Sequence, residues 1–227
     1  GGFLMEYADG CTVSKCTSES KNTQVYPTDW NAGNKISYSG RTTRNIIEDF
    51  YSVDEGATAL WWDIDNLNNS TLESFVVRRV AVTRATRQGI FFERNTKHVT
   101  LEDAVVFDTI ADTSGNSDQH LGAGVRSQAA SLQRLLRVTI ANCDAHGFFD
   151  RAADDDRSAN NNNDIDFLAC LQNGQDATVD QNPCEVHVGN GKTSTGNVDT
   201  TAANNVVVSN TVSGVESFRD DTSGSET

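Results

Sequence analysis

A six-residue pattern of apolar and polar positions recurs along the whole chain. Its copies are CTVSKC from Cys11, NIIEDF from Asn45, FVVRRV from Phe75, VTLEDA from Val99, VTIANC from Val138, IDFLAC from Ile165 and VVVSNT from Val206. In most copies the first, third and sixth residues are apolar or small, whereas the fourth and fifth are polar. This spacing predicts a short strand that runs into a turn.

A second apolar burst follows most copies and is usually opened by glycine. The bursts are ALWWDID from Ala59, GIFFERN from Gly89, GVRS from Gly124, GFFDRA from Gly147, CEVHVGN from Cys184 and GVESFRD from Gly214. The order of strand, bend, glycine and second strand predicts one turn of a solenoid, in which glycine admits the left-handed backbone of a sharp corner. The copies are 24 to 41 residues apart, so extra residues leave the coils as loops.

Stacking of these turns as parallel strands, about 4.8 Å apart, defines the predicted fold. We expect an all-β protein, a right-handed single-stranded parallel β-helix of about seven coils with long loops. Residues 1–227 form a single domain in this interpretation. The terminal coils lack an evident cap, so we expect the array to continue in a longer chain or to meet partner chains at its ends.

The alternation of VTIANC-like strands with GFFDRA-like strands resembles the pectate-lyase-like superfamily of right-handed parallel β-helices. This superfamily includes polysaccharide lyases, glycosidases, epimerases and viral tailspikes, and the resemblance extends from Phe3 to about Arg219. It implies the fold more specifically than the activity, because one fold carries many chemistries. It also implies that residues contacting sugar lie on the outward side of one parallel sheet.

The charge balance restricts the expected partners. The chain has 32 acidic and 18 basic residues, a formal net charge of −14, which disfavours nucleic acid and anionic membrane surfaces. No apolar run reaches the length of about 18 residues that a membrane span requires. An acidic surface with few lysines is typical of proteins from concentrated salt, so a halophilic source and an ordinary acidic secreted protein are both retained.

The cysteines are expected to be mainly structural. Cys16, Cys143 and Cys170 occupy the sixth position of the repeat, which predicts one inward-facing stack. Free buried thiols are favoured over a disulfide between Cys143 and Cys170, because side chains stacked in parallel register have unsuitable geometry for the bond.

The second strand of each coil carries the candidate ligand site. Alternation in LWWDID directs Leu60, Trp62 and Ile64 inward and Trp61, Asp63 and Asp65 outward. Extended along the array, it brings together Trp61, Phe91, Phe149, Glu185 and His187 as ligand-binding candidates. Flat rings beside carboxylates and an arginine are typical of sugar recognition. A register displaced by one residue would instead bury Trp61 and Phe91 and expose Trp62 and Phe92.

Two enzymatic mechanisms are compatible with the same face. The candidate catalytic residues are Asp63, Glu93, Arg126, Asp150 and Arg151. A lyase would hold calcium with Asp63, Asp65 or Glu93 and use Arg126 or Arg151 as base. A hydrolase would use two carboxyl groups, either from adjacent coils about 5 Å apart or from Glu93 and Asp150 at about 10 Å.

Three functional hypotheses follow. The first is an extracellular or virion-surface β-helix that binds polysaccharide or a glycosylated cell surface, as a spike or adhesin does, and that forms a homo-oligomer or larger assembly. The alternative is a secreted polysaccharide lyase or glycoside hydrolase acting on acidic polysaccharide. The third is a purely structural solenoid.

Overall fold

The computed structural model describes residues 2–6, 8–19, 32–37, 44–63, 75–93, 96, 98–111, 122–128, 130, 133–151, 164–175, 184–190, 207–209 and 216–220. These residues form fifteen strands and, within the described ranges, no helix. The strands are β1 (Leu4–Glu6), β2 (Thr12–Glu19), β3 (Ala32–Ser37), β4 (Ile46–Val53), β5 (Thr58–Asp63), β6 (Phe75–Thr83), β7 (Ile90–Glu93), β8 (Val99–Phe107), β9 (Val125–Gln128), β10 (Arg134–Ala141), β11 (Phe148–Arg151), β12 (Asp164–Leu171), β13 (Cys184–Asn190), β14 (Val207–Ser209) and β15 (Glu216–Asp220).

Consecutive strands alternate between two sheets. One sheet has eight strands in the order β1-β3-β5-β7-β9-β11-β13-β15, and the other has seven in the order β14-β12-β10-β8-β6-β4-β2. Every pairing between these strands is parallel. The predicted all-β parallel solenoid is thereby confirmed.

The number of coils differs from the prediction. The described residues form about four turns of the solenoid, from β4 to β11, rather than the seven coils that we expected. Strand pairing continues beyond these turns in both directions.

The interior is an apolar ladder supplied by both sheets. In β6 and β8 the buried positions are the first, third, sixth and eighth. The fourth and fifth positions are both polar, and they separate the first two buried residues from the last two. A regular strand would bury alternate residues throughout, and the extra residue marks a bend. The hexapeptide spacing therefore encodes a bent strand. Within the described ranges, no helix is long and apolar enough to cross a membrane.

The bends are built by residues other than glycine. Asp49, Arg79, Asp103 and Arg137 have φ between 51° and 55° and occupy the same place in successive coils. A second bend, five residues after the first, repeats the conformation at Asp54, Arg84, Asp108 and Asn142, and Gln172 has it after β12. The glycines that open the second strands were expected to supply the left-handed corners, and this expectation is wrong, because Gly89 and Gly124 do not have positive φ.

The first four hexapeptides stack as predicted, but later copies do not. Cys16 pairs with Phe50, and Val80 pairs with Ala104, so the sixth positions of these copies are aligned. Val138, the first residue of the fifth copy, pairs with Ala104, the sixth residue of the fourth. The fifth copy is thus displaced by five residues from the register of the fourth. Apolar residues alternate on both sides of the bend in β10, so this register also places them in the core.

This displacement also overturns the predicted cysteine stack. Cys143 lies after β10, whereas Cys170 pairs with Ile140 inside the sheet. Cys16 belongs to the inward row but is exposed in a terminal strand. Cys143 and Cys170 are both buried and are not joined by a disulfide, as expected.

Candidate functional site

An aromatic–cation row crosses the eight-stranded sheet at one register position. Its members, one from each of β3, β5, β7, β9 and β11, are Lys35, Trp61, Phe91, Arg126 and Phe149. The parallel register places their Cα atoms directly opposite one another, at the usual strand spacing of about 4.8 Å. Three of the predicted ligand-binding residues and the predicted Arg126 are therefore brought together.

Successive side chains of this row are in contact, and a cation lies on each side of the Trp61–Phe91 ring pair. The Trp61 and Phe91 rings are stacked, with centroids 5.7 Å apart and an interplanar angle of 19°. Lys35 Nζ lies 4.0 Å from the Trp61 ring centroid, and Arg126 Cζ lies 4.9 Å from that of Phe91 and 5.9 Å from that of Phe149. Each cation thus faces the electron-rich surface of a ring, which is a favourable electrostatic arrangement.

The row faces away from the solenoid core but is covered. Trp62 and Phe92 belong to the core cluster, whereas Trp61 and Phe91 do not, so the predicted orientation of this strand is confirmed. The expectation that these rings are open to solvent is wrong, because Trp61 is 4% exposed and Phe91 is 7% exposed. Phe149 is likewise buried, and its ring is stacked on His146 with centroids 4.8 Å apart.

A polar row runs beside the aromatic–cation row, two residues farther along each strand backbone. It contains Asp63, Glu93 and Gln128, which pair in register on β5, β7 and β9. Glu93 and Gln128 are partly exposed, and the Asp63 side chain retains 10% of its accessible surface. Glu93 and Gln128 therefore form the accessible margin of the site, and Asp63 is its largely buried end.

Each member of the polar row contacts a member of the aromatic–cation row. Lys35 Nζ lies 2.7 Å from Asp63 Oδ2. Trp61 Nε1 donates a hydrogen bond of 2.9 Å to Glu93 Oε2, and Arg126 Nη2 donates one to Gln128 Oε1. The acceptors are thereby held in defined positions, as a binding surface requires.

Asp150 does not join this surface. It pairs with Ser127 in the row that contains Trp62 and Phe92, and it is fully buried. The prediction that Asp150 lies beside Phe149 on the outer face is wrong, because successive residues of a strand point to opposite faces. Glu93 and Asp150 consequently occupy opposite faces, so the predicted pair of carboxyl groups about 10 Å apart does not exist.

The other predicted site residues are described only as backbone or not at all. Arg151 pairs with Gln128 in register, and His187 pairs with Phe149, which continues the aromatic–cation row into β13. Glu185 lies in the same strand. Asp65 lies outside the described residues.

The predicted calcium site stays a prediction. Among the described residues, no group of three or more His, Cys, Asp or Glu side chains is arranged to hold a metal ion. Asp63 and Glu93 are neighbours in register, but their carboxylates contact Lys35 and Trp61 respectively. Asp65, the third proposed ligand, is not among the residues described.

Three residues of the site were missed by sequence reasoning. Lys35 lies in the least regular part of the repeat, and no local signal identifies it. Gln128 could have been found by extending the alternation of Trp61 and Asp63 to GVRS and the residue after it. His146 directly precedes the GFFDRA burst, and it is buried against Phe149.

Comparison with known proteins found no matching family model, no matching curated protein and no matching solved structure. The architecture itself therefore classifies the chain, and it is an all-β parallel solenoid.

Proposed function

We propose that this protein is a β-helix of the pectate-lyase-like kind that binds polysaccharide or cell-surface glycan. In this proposal it acts as a spike or adhesin, outside the cell or on a virion. The observation that carries the proposal is the polar row of Asp63, Glu93 and Gln128, held at the margin of a continuous aromatic–cation row.

The chemistry of the two rows suits hydroxyl-rich ligands. Carboxylate and amide oxygens accept hydrogen bonds from sugar hydroxyls, and the parallel strands present these acceptors at a regular spacing along the solenoid. The buried Trp61 orients one acceptor, since its indole N–H holds the Glu93 carboxylate, and Phe91 stacks on Trp61. Sugar contact is therefore expected at the polar row, with the rings in a supporting role.

Glu93→Gln is the sharpest test of this site. The amide oxygen still accepts from Trp61 Nε1, but the charge is lost, and a charged acceptor contributes about 1 kcal/mol more than a neutral one. We expect the affinity for a glycan selected on an array to fall by roughly fivefold to tenfold, measured by isothermal titration calorimetry.

Glu102→Gln is the matched control, because Glu102 is a half-exposed carboxylate on the other sheet. Its affinity should equal that of the wild type. Equal effects of the two substitutions, or the absence of binding to any glycan on the array, would refute the proposed site.

A glycoside hydrolase is the second candidate, and one observation favours it. Asp63 and Glu93 are direct neighbours in register, and adjacent strands are separated by about 4.8 Å. This is close to the carboxyl separation of about 5 Å in retaining glycosidases. An assay of reducing ends on acidic polysaccharides, with and without calcium, tests it, and ultraviolet absorption of an unsaturated product would indicate a lyase instead.

A further inference from the structure

Charges of alternating sign form stripes across four neighbouring strands of the seven-stranded sheet, from β4 to β10. The coil of β4 carries Glu48, Asp49 and Asp54, the coil of β6 carries Arg78, Arg79 and Arg84, the coil of β8 carries Glu102, Asp103 and Asp108, and β10 carries Arg134 and Arg137. Within a coil all these charges have the same sign, whereas neighbouring coils have opposite signs. The stripes therefore repeat every two strands, or about 10 Å along the solenoid.

An apolar panel lies between the two bends of this sheet. Tyr51 and Phe107 point outward from it, and they are 42% and 38% exposed. Thr83 pairs with Phe107 in register, and Thr139 on β10 occupies the same register position as Tyr51 on β4, three strands away; both threonines are smaller and half-buried. Large exposed rings on β4 and β8 thus alternate with smaller threonines on β6 and β10.

We propose that this striped panel is the interface of an antiparallel homodimer, in which the two solenoid axes run in opposite directions. The two-fold axis lies between β6 and β8. The panel lies on the sheet opposite the aromatic–cation row, so this proposal is independent of the proposed function. Closed two-fold dimers are the commonest assemblies of identical chains, and their interfaces must be self-complementary.

The period of the stripes selects the arrangement. If the solenoid axes of the two copies ran in the same direction, each coil would face its own equivalent in the second copy. Like charges would then oppose one another. A two-fold axis passing through a strand would also place acidic coils on acidic coils. An axis midway between β6 and β8 instead places Arg84 on Asp108 of the second copy and Asp49 on Arg137.

The same axis also matches large side chains with small ones. Phe107 faces Thr83 of the second copy, and Tyr51 faces Thr139. Exposed ion pairs contribute little affinity and mainly determine orientation, so the two rings supply most of the binding free energy. A panel of four or five strands is smaller than a standard interface, so we expect a dissociation constant roughly in the micromolar range.

Sedimentation equilibrium of the full chain, at roughly 1 to 500 µM, tests the ring contacts. We expect a monomer–dimer equilibrium in the wild type and a dissociation constant at least about tenfold higher in Phe107→Ser. Ile110→Ser is the control, because Ile110 is 45% exposed but lies beyond the second bend. A wild type that remains monomeric, or equal effects of the two substitutions, would overturn the proposal.

A charge exchange tests the antiparallel orientation. Arg84→Glu and Asp108→Arg should each weaken the dimer several-fold, and the double variant R84E/D108R should restore it, because each substituted residue again faces the opposite charge. Thermal unfolding of the isolated variants separates association from folding. Without restoration in the double variant, the antiparallel arrangement is wrong.

Discussion

Glycine is required where two coils approach most closely, at the start of the second strand. A Cβ atom on Gly124 would lie 2.2 Å from Cγ2 of Ile140, 3.0 Å from Sγ of Cys143 and 3.0 Å from the carbonyl oxygen of Gly147. Ile140 is fully buried, and protein cores are close-packed, so its displacement would disturb neighbouring side chains. Close packing, rather than backbone conformation, therefore explains the glycine that opens GVRS.

Gly124→Ala is expected to destabilise the protein by about 1 to 3 kcal/mol through overpacking. Urea denaturation followed by circular dichroism measures this loss. Gly10→Ala is a useful comparison, since a Cβ atom there meets nothing within 4 Å and only the φ of 66° is unfavourable. Stability of Gly124→Ala equal to that of the wild type would contradict the packing observed at this strand.

At the scale of elements, the bent strand is the repeating unit, and its bends are costly. A left-handed conformation costs an L residue about 1 kcal/mol or more, and the first bend adopts it in every described coil from β2 to β10. Charge pairing between neighbouring coils compensates part of this cost. Arg79 Nη2 lies 2.9 Å from Glu48 Oε2, and Arg137 Nη2 donates a 3.0 Å hydrogen bond to Asp103 Oδ2.

These pairs predict a specific pH dependence. Hydrogen bonds from Arg78 and Arg79 lower the pKa of Glu48, and a hydrogen bond from Arg79 lowers the pKa of Asp49. A lowered pKa in the folded state adds stability above the unfolded value, about 4, and this stability is lost as the pH falls through the folded pKa.

Arg79→Met should therefore lower the melting temperature at pH 7, and the difference from the wild type should shrink as the pH falls below about 4. Thermal unfolding between pH 2 and pH 7 measures it. Because these groups are exposed, 1 M salt should also reduce the difference. A difference that is constant with pH would show that the arginine acts through packing alone.

At the scale of the whole molecule, position along the solenoid determines the environment of equivalent residues. Cys16 occupies the inward row, yet it is exposed because β2 is the last strand of its sheet. Cys143 is enclosed by coils on both sides, and its Sγ lies 3.4 Å from Thr109 Oγ1. Burial raises the pKa of the Cys143 thiol to about 12.

Thiol labelling should report this difference. We expect iodoacetamide at pH 8 to modify Cys11 and Cys16 in the native protein, and to reach Cys143 and Cys170 only after unfolding, since the thiolate is the reactive form. Peptide mass spectrometry identifies the labelled residues. Labelling of native Cys143 as fast as that of Cys16 would contradict the described core.

The repeat of apolar positions was sufficient to predict the solenoid and the inward and outward faces of β5 and β7. The reason is local: each strand shows its period in its own residues, and a parallel stack is the arrangement that buries every copy. The orientation of Trp61 against Trp62 was therefore predictable.

Register, burial and partners were decided by the tertiary structure. The displacement of β10 by five residues and the burial of Trp61 and Phe91 both depend on which coil lies above and below. The contact of Lys35 with Trp61 joins segments that share no sequence signal. An alternating pattern specifies which face of the strand a residue lies on. Only the neighbouring segments of the folded chain determine what covers that face.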